Sequence, residues 1–358
     1  MENGKKDIRN LGIDMLRIVA MFMIVWGHVA RFSFDFFDKS LSHDSCQYIL
    51  LNLIHLLCLV GVNVYAVISG YVMVNQIPRL RKLFSIWLQL VFISFSVAWC
   101  ARSLNVDLAG RPLWKYALPI SQNCWWYMTA YFGMYPFLPF INRALANMAK
   151  REMLILGGCI IVFFSLCPTF LRNRNLFQLE HGYSCIWLLA CYVLGAMARL
   201  VQDDIEAFLC KFHLSIGKVL AGTILIIMFL AIAQGFVSGT AVGKVVLHLY
   251  DAYVSPLMLL YAMAILLFFS KLRIPDFLGK IVLFISSLTL PIYLFHIHPV
   301  VAAQLFFASK HRFYAQNYSC VSILFISLAF AIMLFAASGI LGFCQMSLFR
   351  LCKKALKR

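Results

Sequence analysis

The segment LRIVAMFMIVWGHVARF, Leu16 to Phe32, is apolar enough to lie in a bilayer, yet it holds Arg17 near one end and His28 near the other. A helix turns about 100° per residue, so the steps from Arg17 to His28 sum to about 1100° and return to within roughly 20° of the same face. The two side chains then stand about 16 Å apart along the axis. Asp14 precedes Arg17 by one helical turn, shares its face, and offsets part of the burial cost of its charge. Histidine can act as a general base near neutral pH and relay a proton in a hydroxyl-to-acyl transfer. Arginine deeper in the bundle can hold an anionic or carbonyl group. A plainer reading also stands: snorkelling at the helix end for Asp14 and Arg17, and an interhelical hydrogen bond for His28. Ionisable groups inside a membrane are rare and often functional, so the column is expected to face a polar cavity.

Four further stretches carry candidate chemistry. VNVYAVISGYVMVN places Ser69, Gly70 and Tyr71 near the inner end of a second apolar run, where glycine permits close approach of a backbone or ligand. Just beyond it, Arg79, Arg81 and Lys82 are either ordinary inward-facing charge or a dock for a phosphate-bearing donor. Trp125, Trp126 and Tyr127 are either an interfacial aromatic belt or the wall of a sugar or acyl path. In SSLTLPIYLFHIHP, Pro291 can loosen a helix, Tyr293 and His296 share a face, and His298 points elsewhere. His55 reads as packing. The chain has no HExxH pair and no histidine spacing suited to helix-borne metal ligands, so no metal site is expected. It also lacks GxSxG and a P-loop.

The elements that must position these residues are membrane helices. The chain is 63% hydrophobic and only 13% charged over 358 residues, too apolar for a soluble globular domain. Strand-like alternation is absent, which argues against a β-barrel. The expectation is an all-α, polytopic membrane bundle of about ten helices, spanning 11–34, 47–75, 83–101, 119–142, 153–171, 183–200, 218–238, 250–270, 281–303 and 318–346. Lys5, Lys6 and Arg9 precede the first run with no small-residue cleavage site, so that run is read as a retained span. With both termini cytoplasmic, 20 of the 31 Lys and Arg fall on the inner side and 10 on the outer, with Arg17 inside a span. That asymmetry supports the orientation and explains the net charge of +17 without nucleic acid. The inner set includes Lys5, Lys6, Arg350, Lys353, Lys354, Lys357 and Arg358; the outer set includes Lys39, Lys244, Lys310 and Arg312. The 12 cysteines lie mainly in apolar runs without a CxxC pair, so no disulfide framework is expected. Short loops and the absence of internal repeats give a single membrane domain, 1–358.

Four motifs in order resemble the acyltransferase 3 family of integral membrane acyltransferases. They are GIDMLRIVA with Arg17 and His28; Asn63 followed by Ser69-Gly70-Tyr71; WWYMTAYFGMYPFLPFIN; and SSLTLPIYLFHIHP. The similarity runs from about Arg9 to Leu341. It implies transfer of an acyl group, usually acetyl from acetyl-CoA, to a hydroxyl of a cell-surface polysaccharide or lipid-linked saccharide. No permanently bound cofactor is implied, and the setting is a bacterial cytoplasmic membrane. Under the resemblance His28 matches the essential first-span histidine and Arg17 the arginine of its motif. Arg79 and Lys82 match an Arg-x-x-Arg motif whose second arginine is here lysine, with Arg81 beside them. Lysine holds phosphate as a point charge but lacks the bidentate fork. Asp14, Asn63, Ser69, Tyr71, Trp126, Tyr127, Tyr293 and His296 are the expected site-lining residues. No esterase-like domain is appended, which argues against a second transfer step within this chain. A saccharide or anion transporter would also use intramembrane Arg and His and broken helices, and stands as the alternative.

Overall fold

The computed structural model describes residues 9–34, 41–238, 240–307 and 313–355, without the side chains of 244–246 and 350–355. Lys5, Lys6, Lys39, Lys310, Arg312, Lys357 and Arg358 lie outside the described residues, as do the side chains of Lys244, Arg350, Lys353 and Lys354. The described chain is helical: α1 Leu11–Phe32, α2 Cys46–Leu59, α3 Gly61–Met73, α4 Leu80–Ser103, α5 Trp126–Met134, α6 Leu138–Ala146, α7 Lys150–Ile161 and α8 Cys167–Phe170. There follow α9 Cys185–Leu200, α10 Gln202–Lys211, α11 Ile216–Val237, α12 Ala241–His248, α13 Pro256–Ser270, α14 Asp276–His296, α15 Pro299–Ala302 and α16 Cys320–Ala355. Asn10, Ser45, Ser184 and Ser215 cap α1, α2, α9 and α11 by accepting a backbone N–H of the first turn.

Seven helical stretches are long and apolar enough to cross a membrane, or eight if 176–200 counts as one bent span. The other expected spans are helical but interrupted. The 119–142 segment is broken by Pro136 and Pro139, which lack the N–H an unbroken ladder needs. Before α9 the chain bends by 81°, where Phe177, Gln178, Glu180 and His181 take left-handed backbone conformations. The 250–270 segment becomes the 15-residue α13, whose start is fixed by Pro256 in its first turn. The helix expected at 281–303 starts earlier, at Asp276, and stops at His296, because His298 is extended before Pro299.

Side-chain contacts fix the direction of each helix. α1 and α14 run the same way, with Ser286 meeting Asp14 and His296 meeting His28. α2 and α3 return against α1, with Cys58 beside Gly27 and the Tyr65 hydroxyl on the Arg17 carbonyl. α9 runs with α3, from Trp187 on Asn63 to Arg199 on Tyr71. α16 runs against α14, with Gly342 against Pro291. The stretch from α2 to α3 is 78% buried, whereas α11 is 17% buried and presents Leu225, Phe229 and Phe236 outward. Such an apolar outer face is suited to lipid tails.

One expectation is corrected. Cys46 and Cys320 form a disulfide, with Cα atoms 6.4 Å apart. Each is the first residue of a helix, and 274 residues separate them, so spacing could not reveal the pair.

The tightest helix contact joins α3 to α9. A Cβ at Gly70 would strike the Tyr192 carbonyl, and one at Gly195 would strike the Val67 carbonyl. The obstacle is backbone, which cannot rotate away. Gly195→Ala is therefore expected to destabilise the protein by about 1–3 kcal/mol, the usual cost of overpacking. Thermal unfolding in detergent checks this; an unchanged midpoint would contradict the close contact.

Candidate active site

A cavity of about 690 Å³ opens between α1, α3, α4, α5, α14 and the segment before α5. His28 lines it from α1, Tyr65 and Ser69 from α3, and Lys82 from the first turn of α4. Trp126, Tyr127 and Tyr293 complete an aromatic wall with Tyr183 and Tyr253. The rings of Trp126 and Tyr183 lie 4.6 Å apart, and those of Tyr183 and Tyr253 5.0 Å. Cavities of this size and apolar character, with few polar groups, are typical of small-molecule sites.

His28 is the polar centre of this wall. Its Nδ1 lies 3.0 Å from Nε2 of His296, which is fully buried at the end of α14. The other ring nitrogen of His296 lies 2.8 Å from the Ile292 carbonyl oxygen. A carbonyl only accepts, so His296 Nδ1 carries a proton. Neutral His296 then offers Nε2 as an acceptor, and His28 donates to it from Nδ1. The consequence is a defined tautomer: His28 keeps Nε2 unprotonated, with a lone pair available for proton transfer. The ring of Tyr293 packs edge-on against His296 at 6.0 Å and holds it in place.

The charged column on α1 divides. Asp14, 1% exposed, accepts Arg9 Nε at 2.7 Å, Arg17 Nη1 at 2.8 Å and the Ser286 hydroxyl at 2.9 Å. Arg17 is thus engaged by a buried carboxylate and does not line the cavity. Its backbone carbonyl accepts the hydroxyl of cavity-lining Tyr65 at 2.7 Å. Outside the spans, the Asp14 carboxylate raises the pKa of the Arg9 guanidinium through their hydrogen bond.

The remaining expected residues fall into three groups. Ser69, Trp126, Tyr127 and Tyr293 line the cavity. Of the basic cluster, Lys82 lines it, while Arg79 and Arg81 are exposed beside its mouth; the Arg79 carbonyl accepts the Tyr135 hydroxyl at 3.3 Å. Asn63 and Tyr71 stand outside. Asn63 is buried, donating to the Tyr253 carbonyl at 2.8 Å and accepting Trp187 Nε1 at 2.9 Å, so it braces the aromatic wall from behind. Tyr71 donates to Gln202 at 2.6 Å and accepts from Arg199 at 3.2 Å near the inner end. Sequence reasoning missed Tyr65, Arg111, Tyr183 and Tyr253; Trp125, read as either belt or wall, lines the cavity. Tyr65 had a signal: it is one turn before Ser69 on the same face. Arg111 lies in a connecting segment, where no periodicity points to it.

A family described as an acyltransferase domain matches residues 10–342, nearly the whole chain. The chain belongs to the acyltransferase 3 family. No curated protein and no solved structure matches it. Family membership and the apolar helices together support a multi-pass membrane acyltransferase. For an acyltransferase, a histidine with a fixed tautomer on the wall of a cavity is the group best suited to proton transfer.

The Asp14 cluster makes a stability prediction. Asp14→Asn removes the counter-charge of Arg17 and Arg9 while keeping size. The expected loss is about 1–3 kcal/mol, below that of a fully buried ion pair because Arg9 is 60% and Arg17 28% exposed. Unfolding in detergent reads this loss; Ser286→Ala should cost less, about 1 kcal/mol for one hydrogen bond. Equal stability of Asp14→Asn and the native protein would contradict the assignment.

Proposed function

We propose that this protein transfers an acetyl or other short acyl group from acyl-CoA to a hydroxyl of a cell-surface polysaccharide or lipid-linked saccharide. The observation that carries this reading is the chain Ile292 carbonyl, His296, His28, which leaves His28 Nε2 as a base on the cavity wall. The acceptor hydroxyl gives its proton to His28 Nε2 while its oxygen attacks the thioester carbonyl. The carbon–oxygen bond forms, the carbon–sulfur bond breaks, and the departing thiolate takes the proton from His28. Nδ1 keeps its own proton throughout, and His296 stabilises the transient imidazolium by accepting from it.

The donor enters from the Lys82 end in this reading. Its phosphates sit near Lys82, Arg79 and Arg81, and its arm passes Ile86, Ser69 and Tyr65. Arg17, held by Asp14, does not line this path. Lys82 and Ser94 are separated by about 18 Å along α4, and the Ser94 carbonyl meets His298 beside the His28 end. Donor phosphates and acceptor hydroxyl thus have separate ends of one cavity.

The proposed setting is a bacterial cytoplasmic membrane, crossed ten times with both termini inside. Three observations support it. Lys and Arg are twice as frequent in the inner segments as in the outer, 20 against 10. α1 and α14 run one way and α3, α9 and α16 the other, as the first, ninth, second, sixth and tenth of ten crossings would. The Cys46–Cys320 disulfide lies at the end of the bundle away from Asn10, and disulfides persist on the oxidising side of such a membrane.

Purified protein with labelled acetyl-CoA and membrane-derived saccharide tests the reaction. His28→Ala is expected to lower the transfer rate by about 10²–10⁴-fold, the worth of a general base. His296→Asn should lower it by about tenfold to a hundredfold, the worth of one buried hydrogen bond. Activity should fall as acid protonates His28, and His296→Asn should move that acid limb. Undiminished transfer by His28→Ala would contradict the mechanism.

A further inference from the structure

The cavity holds two cations and, among the described residues that line it, no carboxylate. Lys82 stands in the first turn of α4, whereas Arg111 packs on Cys124 beside Trp125, whose neighbour His298 meets the Ser94 carbonyl about 18 Å further along α4. In the acyl-transfer reading the donor phosphates occupy the Lys82 end. Arg111 then has no assigned role.

Its surroundings suggest one. Arg111 is half-buried, and its Nη1 has only long contacts, 3.4 Å to the Gln122 carbonyl and 3.6 Å to Cys124 Sγ. No carboxylate pairs with it among the described residues; Asp107 in the same segment is exposed and does not line the cavity. Beside it, Trp125 lines the cavity, is 2% exposed, and its indole N–H has no acceptor. The nearest polar ring is His298, packed edge-on at 5.6 Å. His298 is already committed: Nε2 donates to the Ser94 carbonyl and Nδ1 accepts the Val300 N–H. A buried donor without an acceptor is costly. Arginine and indole are donors only, so the group that satisfies both must be an acceptor.

We propose that the end of the cavity beside Arg111 and Trp125 binds an oxyanion carried by the acceptor, a carboxylate or phosphate close to the hydroxyl that is acylated. This rests on the acyl-transfer reading. It narrows the acceptor to an acidic saccharide and makes Arg111 a residue of acceptor recognition. The rings of Trp126, Tyr183 and Tyr253 line the same cavity as Arg111 and His28, and can cover the apolar face of a sugar ring.

The test uses native membranes, which carry the acceptor with them. Labelled acetyl-CoA is supplied to membranes holding the full-length protein, and the labelled product is run on an anion-exchange column at neutral pH. The product is expected to bind the column. Carbodiimide activation followed by borohydride reduction abolishes binding if the anion is a carboxylate; mild acid hydrolysis abolishes it if the anion is a sugar phosphate. In purified protein, Arg111→Gln is expected to raise the acceptor KM about tenfold to a hundredfold, the worth of a charged hydrogen bond. The acetyl-CoA KM should stay unchanged, and Arg111→Lys should recover part of the loss. A neutral product overturns the inference while leaving acyl transfer intact, as does a change in the donor KM alone. Absence of any labelled product overturns the acyl-transfer reading itself, and this inference with it.

Discussion

Two hydrogen bonds tie α1 to α14, one near each end of the pair. Ser286 donates to Asp14, and His28 donates to His296. A bilayer offers no water to a buried polar group, so every such group on a spanning helix needs a partner within the protein. The polar column on α1 therefore dictates what α14 must present. The same contact that satisfies His28 also decides which of its nitrogens carries the proton. The packing of α1 on α14 and the tautomer of His28 are thus set at one seam.

The rest of the site follows from that seam. α3 lies against α1 closely enough for the Tyr65 hydroxyl to reach the Arg17 carbonyl, and α9 lies against α3 through Gly70 and Gly195. These close approaches let Asn63 link Trp187 to the Tyr253 carbonyl and so hold the aromatic wall. Lys82 and Arg111 are the two cations on the cavity wall, which otherwise is mostly aromatic and apolar with His28 as its imidazole.

Much of this is legible in the residues and some is not. The first helix, expected at 11–34, forms at Leu11–Phe32, because a capping Asn10 and an unbroken apolar run leave little choice. The Asp14–Arg17 pair follows from local spacing, and so does its plainer, structural role. The His28–His296 bond does not, since it joins residues 268 apart and spacing carries no information at that range. The expected 119–142 helix is overextended at its start: residues 119–125 turn, with Asn123 in the left-handed region, and the helical chain begins only at Trp126. Arg111 looks like one more loop charge, and only the fold shows it beside an unpartnered Trp125.

The central claim is that His28 and His296 act as one proton-handling unit. A double-mutant cycle on the acyl-transfer rate of purified protein measures this most directly. If the pair is one unit, His28→Ala combined with His296→Asn should be no slower than His28→Ala alone, because the second residue acts only through the first. Losses that multiply would contradict the account and assign the two histidines to separate roles.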